Sequence, residues 1–422
     1  MAVSNTYSVV NGVGIIPEGT TRLIKPSDEH TIRELRYIRI PSTVTEINFD
    51  SLCFSRNLEE IIVDEDNPVY DSRGGCNALI DTKENSLILG CKNSVIPETV
   101  ESIGRWAFCE TEITKINIPS SVTLIECGAF CKCRRLKSVI VSEGLEFISA
   151  WAFQECPIKE ITLPESLIEL SNEVFIGCTK LERLYIPKNV EAIDIYLTSG
   201  CTNLCEIIVD PENQYYDSRN RCNAIIETAS NALLVGCAHT YIPNGVERIM
   251  EGAFTSLDRL EEIAIPESVV DIKDYAFRNN DNLKEVAIWA PLEHLSNLAF
   301  DNCNGIELLC FSSGIKKISA TFEDCNLREI SVPFGKVKYY KRRLPEDLHK
   351  LIVERYGFEN VPYDIVHTAI VIGPITEEMR QHLKRQREEC RRHSVQFEVE
   401  VVTPEEYKEQ FGELPPEYRA QS

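Results

Sequence analysis

The residues best suited to chemistry are cysteines, and four of the seventeen stand close together in the sequence. Cys109, Cys127, Cys131 and Cys133 offer the thiolate ligands from which tetrahedral zinc sites are built. However, Cys133 occupies a position at which cysteine recurs at a fixed interval, and that recurrence indicates a structural role. An odd number of cysteines also does not suit a disulfide framework. We therefore expect buried, reduced thiols, with no metal and no other cofactor.

A basic, aromatic stretch at residues 336–343 (Lys-Val-Lys-Tyr-Tyr-Lys-Arg-Arg) is the second candidate for chemistry. It could hold an anionic ligand, but the solvated surface of a terminal cap is the interpretation we favour. The sequence contains no Gly-rich phosphate loop, no His-Glu-x-x-His motif and no Ser-centred elbow. Its seven histidines are scattered. These observations predict a non-enzymatic protein; the alternative is an enzyme with its chemistry near the C-terminus.

Composition excludes several classes of partner. A net charge of −22 argues against nucleic acid, because phosphate binding needs a basic surface. No apolar run reaches the length of about 18 residues that a membrane span requires. Residues 1–15 lack the basic start and the apolar core of a signal peptide. Together with the expected free thiols, this predicts a cytoplasmic location; the alternative is a cell-surface or secreted protein.

The cysteines and the basic stretch must be positioned by the elements of the chain. Most of these elements belong to a repeat, which is clearest at residues 181–193. The pattern is an apolar residue, two variable residues, apolar-x-apolar-Pro, and apolar positions three and six residues after the proline. A small residue followed by Phe lies between copies, and within unbroken runs these phenylalanines recur every 22 or 23 residues. A period in the low twenties with one short strand per copy is typical of a leucine-rich-repeat solenoid.

Each part of the repeat has a physical interpretation. In apolar-x-apolar, alternate side chains face the core and the solvent, as a strand requires. The proline ends the strand where no backbone donor is needed. Three residues after each Phe comes a small, weakly polar position, which we expect to bond backbone groups of the next turn. It holds Thr111, Cys133, Cys156, Cys178, Asn280, Cys303 and Cys325, and Cys201 shares the register because it lies 14 residues after Pro187, as Cys178 does after Pro164.

The repeat is interrupted twice by the same insertion. Residues 61–100 and 207–246 align without a gap, with 21 of 40 positions identical. In the first copy we predict a strand at 77–81, a turn at 82–85 and a strand at 87–90, which together form a β-hairpin. The insertions could be binding flaps or duplicated structural variants of the repeat.

The repeat frame at 118–136, Ile-Pro-x-x-Val-x-x-Ile-x-x-x-Ala-Phe-x-x-Cys-x-x-Leu, resembles the BspA-type leucine-rich repeats. The insertion around 67–73 and the segment 332–340 are also similar to parts of that family, so the resemblance covers residues of about 16–352. It implies a repeat protein; many family members are bacterial surface or secreted proteins, and some adhere to host proteins.

The period stops after Pro333. Residues 344–356 read as an amphipathic helix that caps the last turn. A strand at 366–372, a charged helix at 375–393 and a strand at 395–402 suggest a small βαβ element, followed by a short helix at 404–411. Two strands are too few to be stable alone, so this element should dock on the solenoid or pair with another chain. The expected domains are a solenoid at 1–352 and a C-terminal element at 353–422.

The predicted architecture is therefore an α/β, β-rich solenoid of about 13 turns with one parallel sheet on its inner wall. We predict a protein-binding module that engages its partner along this wall; the alternative is an exported bacterial adhesin for host protein or glycan. Binding sites favour Tyr and Arg, and the middle of the wall offers both beside aliphatic groups and flanking carboxylates. The candidate residues are Arg183, Tyr185, Ile140, Ile208, Glu160 and Glu206.

Overall fold

The computed structural model describes residues 5–26, 29–48, 51–296, 298–311, 329–333, 350–354, 368–372 and 398–402. The chain divides into two compact units, Met1–Asp217 and Ser218–Ser422. Each unit is a solenoid with mostly parallel sheets and very little helix, and the turns number about 13 in all, which confirms the predicted fold class. Among the described residues, no helix has the length and apolar character needed to cross a membrane.

The inner wall of each unit consists of the predicted short strands. In the Arg183–Ile186 strand, Leu184 and Ile186 are buried, whereas Arg183 and Tyr185 face outward. This alternation of side chains produces the wall. In the first unit the inner strands are Tyr37–Ile40, Glu60–Val63, Lys115–Ile118, Ser138–Val141, Arg183–Ile186 and Glu206–Val209. In the second unit they include Glu262–Ile265, Glu285–Ile288, Leu308–Phe311 and Glu329–Pro333.

A second wall is built from two-residue strands that pair in parallel. Most of them hold the apolar residue six positions after the proline, and Ile148 and Leu295 have the same spacing from Ser142 and Trp289, so the apolar stripe expected there is also a hydrogen-bonded ladder. These strands are Arg22–Leu23, Glu46–Ile47, Ser102–Ile103, Leu124–Ile125, Phe147–Ile148, Glu169–Leu170 and Ala192–Ile193 in the first unit. In the second unit they are Arg248–Ile249, Asp271–Ile272 and His294–Leu295.

Phenylalanine rings stack on one another in the core of each unit. Phe130 and Phe153 are fully buried, as the repeat predicts, and their ring centroids lie 5.3 Å apart. In the second unit Phe254 and Phe277 stack at 4.9 Å. This stacking adds aromatic attraction to the burial of apolar area.

The position three residues after each Phe bonds the preceding turn, where the sequence predicts a bond to the next one. The Cys178 thiol donates to the Phe153 carbonyl at 3.0 Å, and the Cys303 thiol to Phe277 at 2.9 Å. Asn280 makes an equivalent bond, in which its side-chain amide donates to the Phe254 carbonyl at 2.8 Å. A short side chain with a donor is needed because the carbonyl is buried. Cys325 lies outside the described residues.

Both insertions contain the predicted antiparallel hairpins. The first comprises Tyr70–Asp71, a 3-10 turn at Arg73–Gly75, and the strands Leu79–Asp81 and Ser86–Leu89. The corresponding elements of the second copy are Tyr216–Asp217, Arg219–Arg221, Ala224–Glu227 and Ala232–Gly236. Gly90 is required by close packing, since a Cβ there would lie 2.1 Å from Phe108 Cε1; Gly236 would meet Phe254 at 2.2 Å.

The inner wall of the first unit is not the single sheet that the sequence predicts. Lys115–Ile118 pairs only with Ser138–Val141, and Arg183–Ile186 only with Glu206–Val209, among the described strands. Between the two pairs, residues 159–163 keep alternate burial, with Ile161 and Leu163 buried, but form no strand. The connection from Cys156 to Ile158 is one residue shorter than that from Cys133 to Leu136 and contains Pro157, which has no N–H to donate.

The N-terminus forms a strand-like cap. Ser8–Val10 and Val13–Ile15 make an antiparallel hairpin, and Val13–Ile15 pairs in parallel with Tyr37–Ile40. The first turn lacks the buried Phe and uses a short helix, Glu29–Glu34, whose Ile32 is buried.

The prediction of a capping helix at 344–356 is wrong for residues 350–354, which are the part that the structure describes. Lys350–Glu354 is a strand that pairs in parallel with Glu329–Pro333. Leu351-Ile352-Val353 is apolar and partly β-branched, which suits a strand with a partner on each side. The strand also crosses the predicted domain boundary between residues 352 and 353.

The two strands expected in the C-terminal element are present at Thr368–Ile372 and Glu398–Val402. They pair in parallel with each other, and Thr368–Ile372 also pairs with Lys350–Glu354, so the element extends the inner sheet of the second unit, as expected of a docked element. The predicted helices at 375–393 and 404–411, and the whole basic stretch at 336–343, lie outside the described residues.

Candidate interaction surface

The centre of the predicted site is a pair of parallel strands in the first unit. Arg183–Ile186 and Glu206–Val209 pair so that Arg183 lies beside Glu206 and Tyr185 beside Ile208. The Arg183 Nε atom is 2.9 Å from Glu206 Oε2 in a salt bridge whose two side chains remain 69% and 41% exposed. The guanidinium is therefore held in place while most of its surface stays available to solvent.

Tyr185 is fixed in a similar way by an acid that follows the neighbouring strand. Its hydroxyl donates a hydrogen bond to Asp210 Oδ2. This bond to a carboxylate, together with partial burial, raises the pKa of Tyr185 to about 12, and the same bond lowers the pKa of Asp210. The tyrosine consequently stays protonated at physiological pH, with its ring half-buried against the wall.

Of the aliphatic members of the predicted site, only one belongs to this strand pair. Ile208 is 43% exposed beside Tyr185. Ile140 is 58% exposed, but it belongs to the Ser138–Val141 strand, whose partner is Lys115–Ile118, beyond the break at 159–163. The structure thus places Ile140 in a different sheet of the same wall.

The two predicted acids differ from each other. Glu206 is the salt-bridge partner of Arg183, so it orients a predicted binding residue in addition to contributing charge. Glu160 is exposed but lies in the segment that forms no strand, which corrects its predicted place on a regular inner strand. The structure therefore brings together four of the six predicted residues: Arg183, Tyr185, Glu206 and Ile208.

Sequence reasoning missed Asp210, the partner of Tyr185. A signal for it exists: the acid occupies the position after the strand at which Pro187 stands one turn earlier. Asp64 occupies the equivalent position in an earlier turn, and its Oδ1 atom binds Arg39 Nε at 2.5 Å. An acid in place of the strand-ending proline thus indicates that its carboxylate bonds an outward-facing side chain of the preceding inner strand.

A groove of about 1170 Å³ near the helix of the first unit was also missed. Its lining includes Glu59, which Lys92 Nζ and Arg36 Nη2 each approach to 2.6 Å. The hydrogen bonds from Lys92 and then Arg36 lower the pKa of Glu59 to about 2. Arg33, Arg56 and Arg135 also line the groove, so five cations stand against three acids, Glu34, Glu59 and Glu112.

The four clustered cysteines do not form a metal site. Among the described residues, no group of three or more His, Cys, Asp or Glu side chains has a geometry that could hold a metal ion. The Cys133 thiol donates to the Phe108 carbonyl at 2.9 Å, and Cys131 Sγ lies 3.3 Å from Gln154 Oε1. These thiols are engaged within the repeat stack.

Three solved structures are similar to this chain. A leucine-rich repeat protein from Eubacterium ventriosum is 19% identical, with 83% of this chain and 86% of that chain covered and a TM-score of 0.44. A leucine rich cell surface protein from Faecalibacterium prausnitzii is 18% identical, with 90% of each chain covered and a TM-score of 0.46. The pneumococcal vaccine antigen PcpA is 16% identical, with 90% of this chain and 83% of that chain covered and a TM-score of 0.44. No curated protein sequence matches the chain.

The sequence also matches the family model for the BspA type leucine rich repeat region, in six copies over residues 101–224 and 235–343. The match supports a repeat protein and gives no support to the predicted cytoplasmic location. Because these residues make up more than half of the chain, the protein belongs to the BspA-type leucine-rich-repeat family.

Proposed function

We propose that the chain is a non-enzymatic, protein-binding repeat module that engages a partner through the inner wall of its first unit, centred on Arg183 and Tyr185. The observation that carries this proposal is the ordered arrangement of the exposed Arg183 and the half-buried Tyr185 side chains beside Ile208. Arg and Tyr are the residue types that most often dominate protein interfaces.

The internal partners of these side chains support the proposal. Glu206 and Asp210 hold Arg183 and Tyr185 in single positions before any partner arrives. Less side-chain entropy is then lost on binding, so more of the interaction energy contributes to affinity. The acids also leave this surface without a large excess of positive charge, which favours a partner that meets it with apolar and hydrogen-bonding groups.

The test begins with a partner captured by pull-down and confirmed with purified components. Tyr185→Ala and Arg183→Ala are each expected to weaken binding on the order of tenfold or more, because each removes a large contact. Glu191→Ala is the matched control, since Glu191 is exposed and adjoins the opposite wall at Ala192–Ile193. Unchanged affinity in both test variants, with intact folds, would contradict the proposed site.

The location of the protein forms a separate proposal. A cell-surface or secreted location is consistent with the family match, and one of the similar structures is titled a cell surface protein. The adhesin alternative requires that location. Fractionation of the native source, followed by detection in the surface or medium fraction, tests it; recovery in the cytosol alone would exclude an adhesin.

A further inference from the structure

A notch of about 510 Å³ opens on the inner wall of the second unit. Its floor consists of two alanines that lie side by side on adjacent strands, Ala264 on Glu262–Ile265 and Ala287 on Glu285–Ile288. Their small side chains leave space where the first unit places Tyr185 beside Ile208. The notch therefore results from side-chain size on a regular parallel ladder.

Two aromatic residues and two acids complete the lining. Tyr241 is 48% exposed, and its hydroxyl donates to the Asn220 carbonyl at 2.7 Å, which fixes the ring. Trp289 is half-buried and follows its strand at the position that Pro266 occupies one turn earlier. Glu262 and Glu285 also line the notch. The lining thus combines aromatic faces with negative charge.

The two acids are neighbours in the ladder register, Glu262 beside Glu285. Both carboxylates line the notch, and no lysine, arginine or histidine among the described residues lines it with them. The two carboxylates therefore favour a positively charged ligand.

The first unit provides an internal comparison, because it contains the same insertion followed by the same strands. The residue equivalent to Tyr241 is Val95, and the first inner strand after the insertion carries Lys115 and Asn117 in place of Glu262 and Ala264. The next strand carries Ser138 and Ile140, and Ser142 stands in place of Trp289. The repeat itself therefore requires neither the aromatic residues nor the acids.

We propose that this notch binds an arginine side chain presented by a protein partner. A guanidinium is planar, stacks on aromatic faces and pairs with carboxylates, so it matches each part of the lining. The inference deepens the proposed function, because it names a group that the partner presents. It concerns the second unit and does not depend on Arg183 or Tyr185.

The probe is the peptide acetyl-Gly-Arg-Gly-amide, with the citrulline peptide as an uncharged isostere. The full chain is labelled with 5-fluorotryptophan and titrated at about 150 mM salt, where long-range attraction to the acidic protein is screened. The chain has three tryptophans, and Trp289→Phe identifies the relevant fluorine resonance. We expect the arginine peptide to shift this resonance saturably and the citrulline peptide to bind on the order of tenfold more weakly.

The double variant Glu262→Gln/Glu285→Gln is expected to weaken binding on the order of tenfold, because it removes both carboxylates. Its matched control, Glu267→Gln/Glu293→Gln, changes the net charge equally at exposed positions and should alter affinity less than about twofold. Tyr241→Leu should weaken binding and Tyr241→Phe should retain it, which separates the ring from the hydroxyl.

Equal binding of the two peptides, equal losses in the two double variants, or no shift at Trp289 would overturn this inference. Misfolding does not obscure the result, because both replacements are isosteric and lie outside the buried core, and the melting temperature of each variant checks that the fold is intact. A partner that requires Tyr185 but binds the Glu262→Gln/Glu285→Gln variant normally would preserve the proposed function while removing the notch from it.

Discussion

The cysteines of this chain act as hydrogen-bond donors within the core. In the ladder that includes Cys156, Cys178 and Cys201, each thiol donates to the carbonyl of a phenylalanine in the preceding turn. Burial raises the pKa of Cys178 to about 12, so the thiol keeps the proton that the bond requires. Recurrence in the sequence identifies this position as structural, but the direction of the bond depends on how successive turns are offset.

Replacing one donor measures the strength of this ladder. Cys178→Ala leaves the Phe153 carbonyl without the thiol and should lower the free energy of unfolding by about 1–3 kcal/mol. Urea unfolding provides the measurement. Cys127→Ala is the control at a half-buried cysteine outside this register, with an expected cost below about 0.5 kcal/mol. Similar values for both variants would show that the hydrogen bond to the Phe153 carbonyl contributes little to stability.

Glu59 gives a prediction about acid. Its pKa in the folded protein is about 2, lowered from the usual 4.5 by Lys92 and Arg36. A carboxylate with a lowered folded pKa stabilises the protein above its unfolded pKa, and this contribution is lost as the pH falls from about 4.5 through 2. The difference in melting temperature between the parent and Glu59→Gln should therefore be largest near pH 6 and shrink toward pH 2.

The control for this titration is Glu60→Gln, which changes an exposed neighbour by the same charge. Its difference from the parent should stay nearly constant over the same pH range at low salt. A difference for Glu59→Gln that is independent of pH would contradict the ionic role of the groove's central acid.

At the scale of elements, the regular parts of the fold could be predicted and the exceptions could not. The alternation at Leu184 and Ile186 specifies an inner strand, and the spacing of Phe130 and Phe153 specifies their burial. The loss of pairing at 159–163 leaves the apolar pattern intact, and the short connection before it differs from the equally short one at Thr111–Ile113, which is followed by a paired strand, in containing Pro157. The pattern at 350–354 suits either a helix or a strand, and the parallel ladder on both sides decides between them.

The candidate site also combines features that the sequence predicts with features that it does not. Outward-facing Arg183 and Tyr185 follow from alternation alone, whereas the bond from Tyr185 to Asp210 depends on the offset between neighbouring turns. The notch at Ala264 and Ala287 could have been noticed as two small residues in equivalent positions. Its aromatic wall could not, because Tyr241 belongs to the insertion, whose packing against the strands the sequence does not reveal.

The phenylalanine stack tests how strongly one turn depends on the next. Phe153 stacks on Phe130 at 5.3 Å and on Phe175 at 5.9 Å, so Phe153→Ala should cost about 3–5 kcal/mol. Since neighbouring turns share interfaces, hydrogen exchange should increase in the turns on both sides as well. A variant that melts within a degree or two of the parent, with exchange altered only at residue 153, would show that the turns are stabilised independently.

At the scale of the whole molecule, the C-terminal strands determine where the inner sheet of the second unit ends. Thr368–Ile372 covers Lys350–Glu354, and Glu398–Val402 covers Thr368–Ile372 in turn. An inner strand that loses its neighbour becomes an exposed edge, with unpaired backbone groups and a tendency to associate. The C-terminal element therefore continues the solenoid and protects its edge.

Truncation after Glu354 should expose this edge. We expect faster hydrogen exchange in Glu329–Pro333 and Lys350–Glu354 and greater self-association, because the last ladder loses its neighbours. Exchange in the Arg183–Ile186 strand of the first unit serves as the internal control and should not change, since stability in a repeat array is passed between neighbouring turns. Exchange mass spectrometry of the truncated and full chains measures both regions in one experiment. Unchanged protection at Lys350–Glu354 would mean that the two terminal strands do not stabilise the sheet, and the C-terminal element would then have to act in some other way, such as by pairing with a second chain.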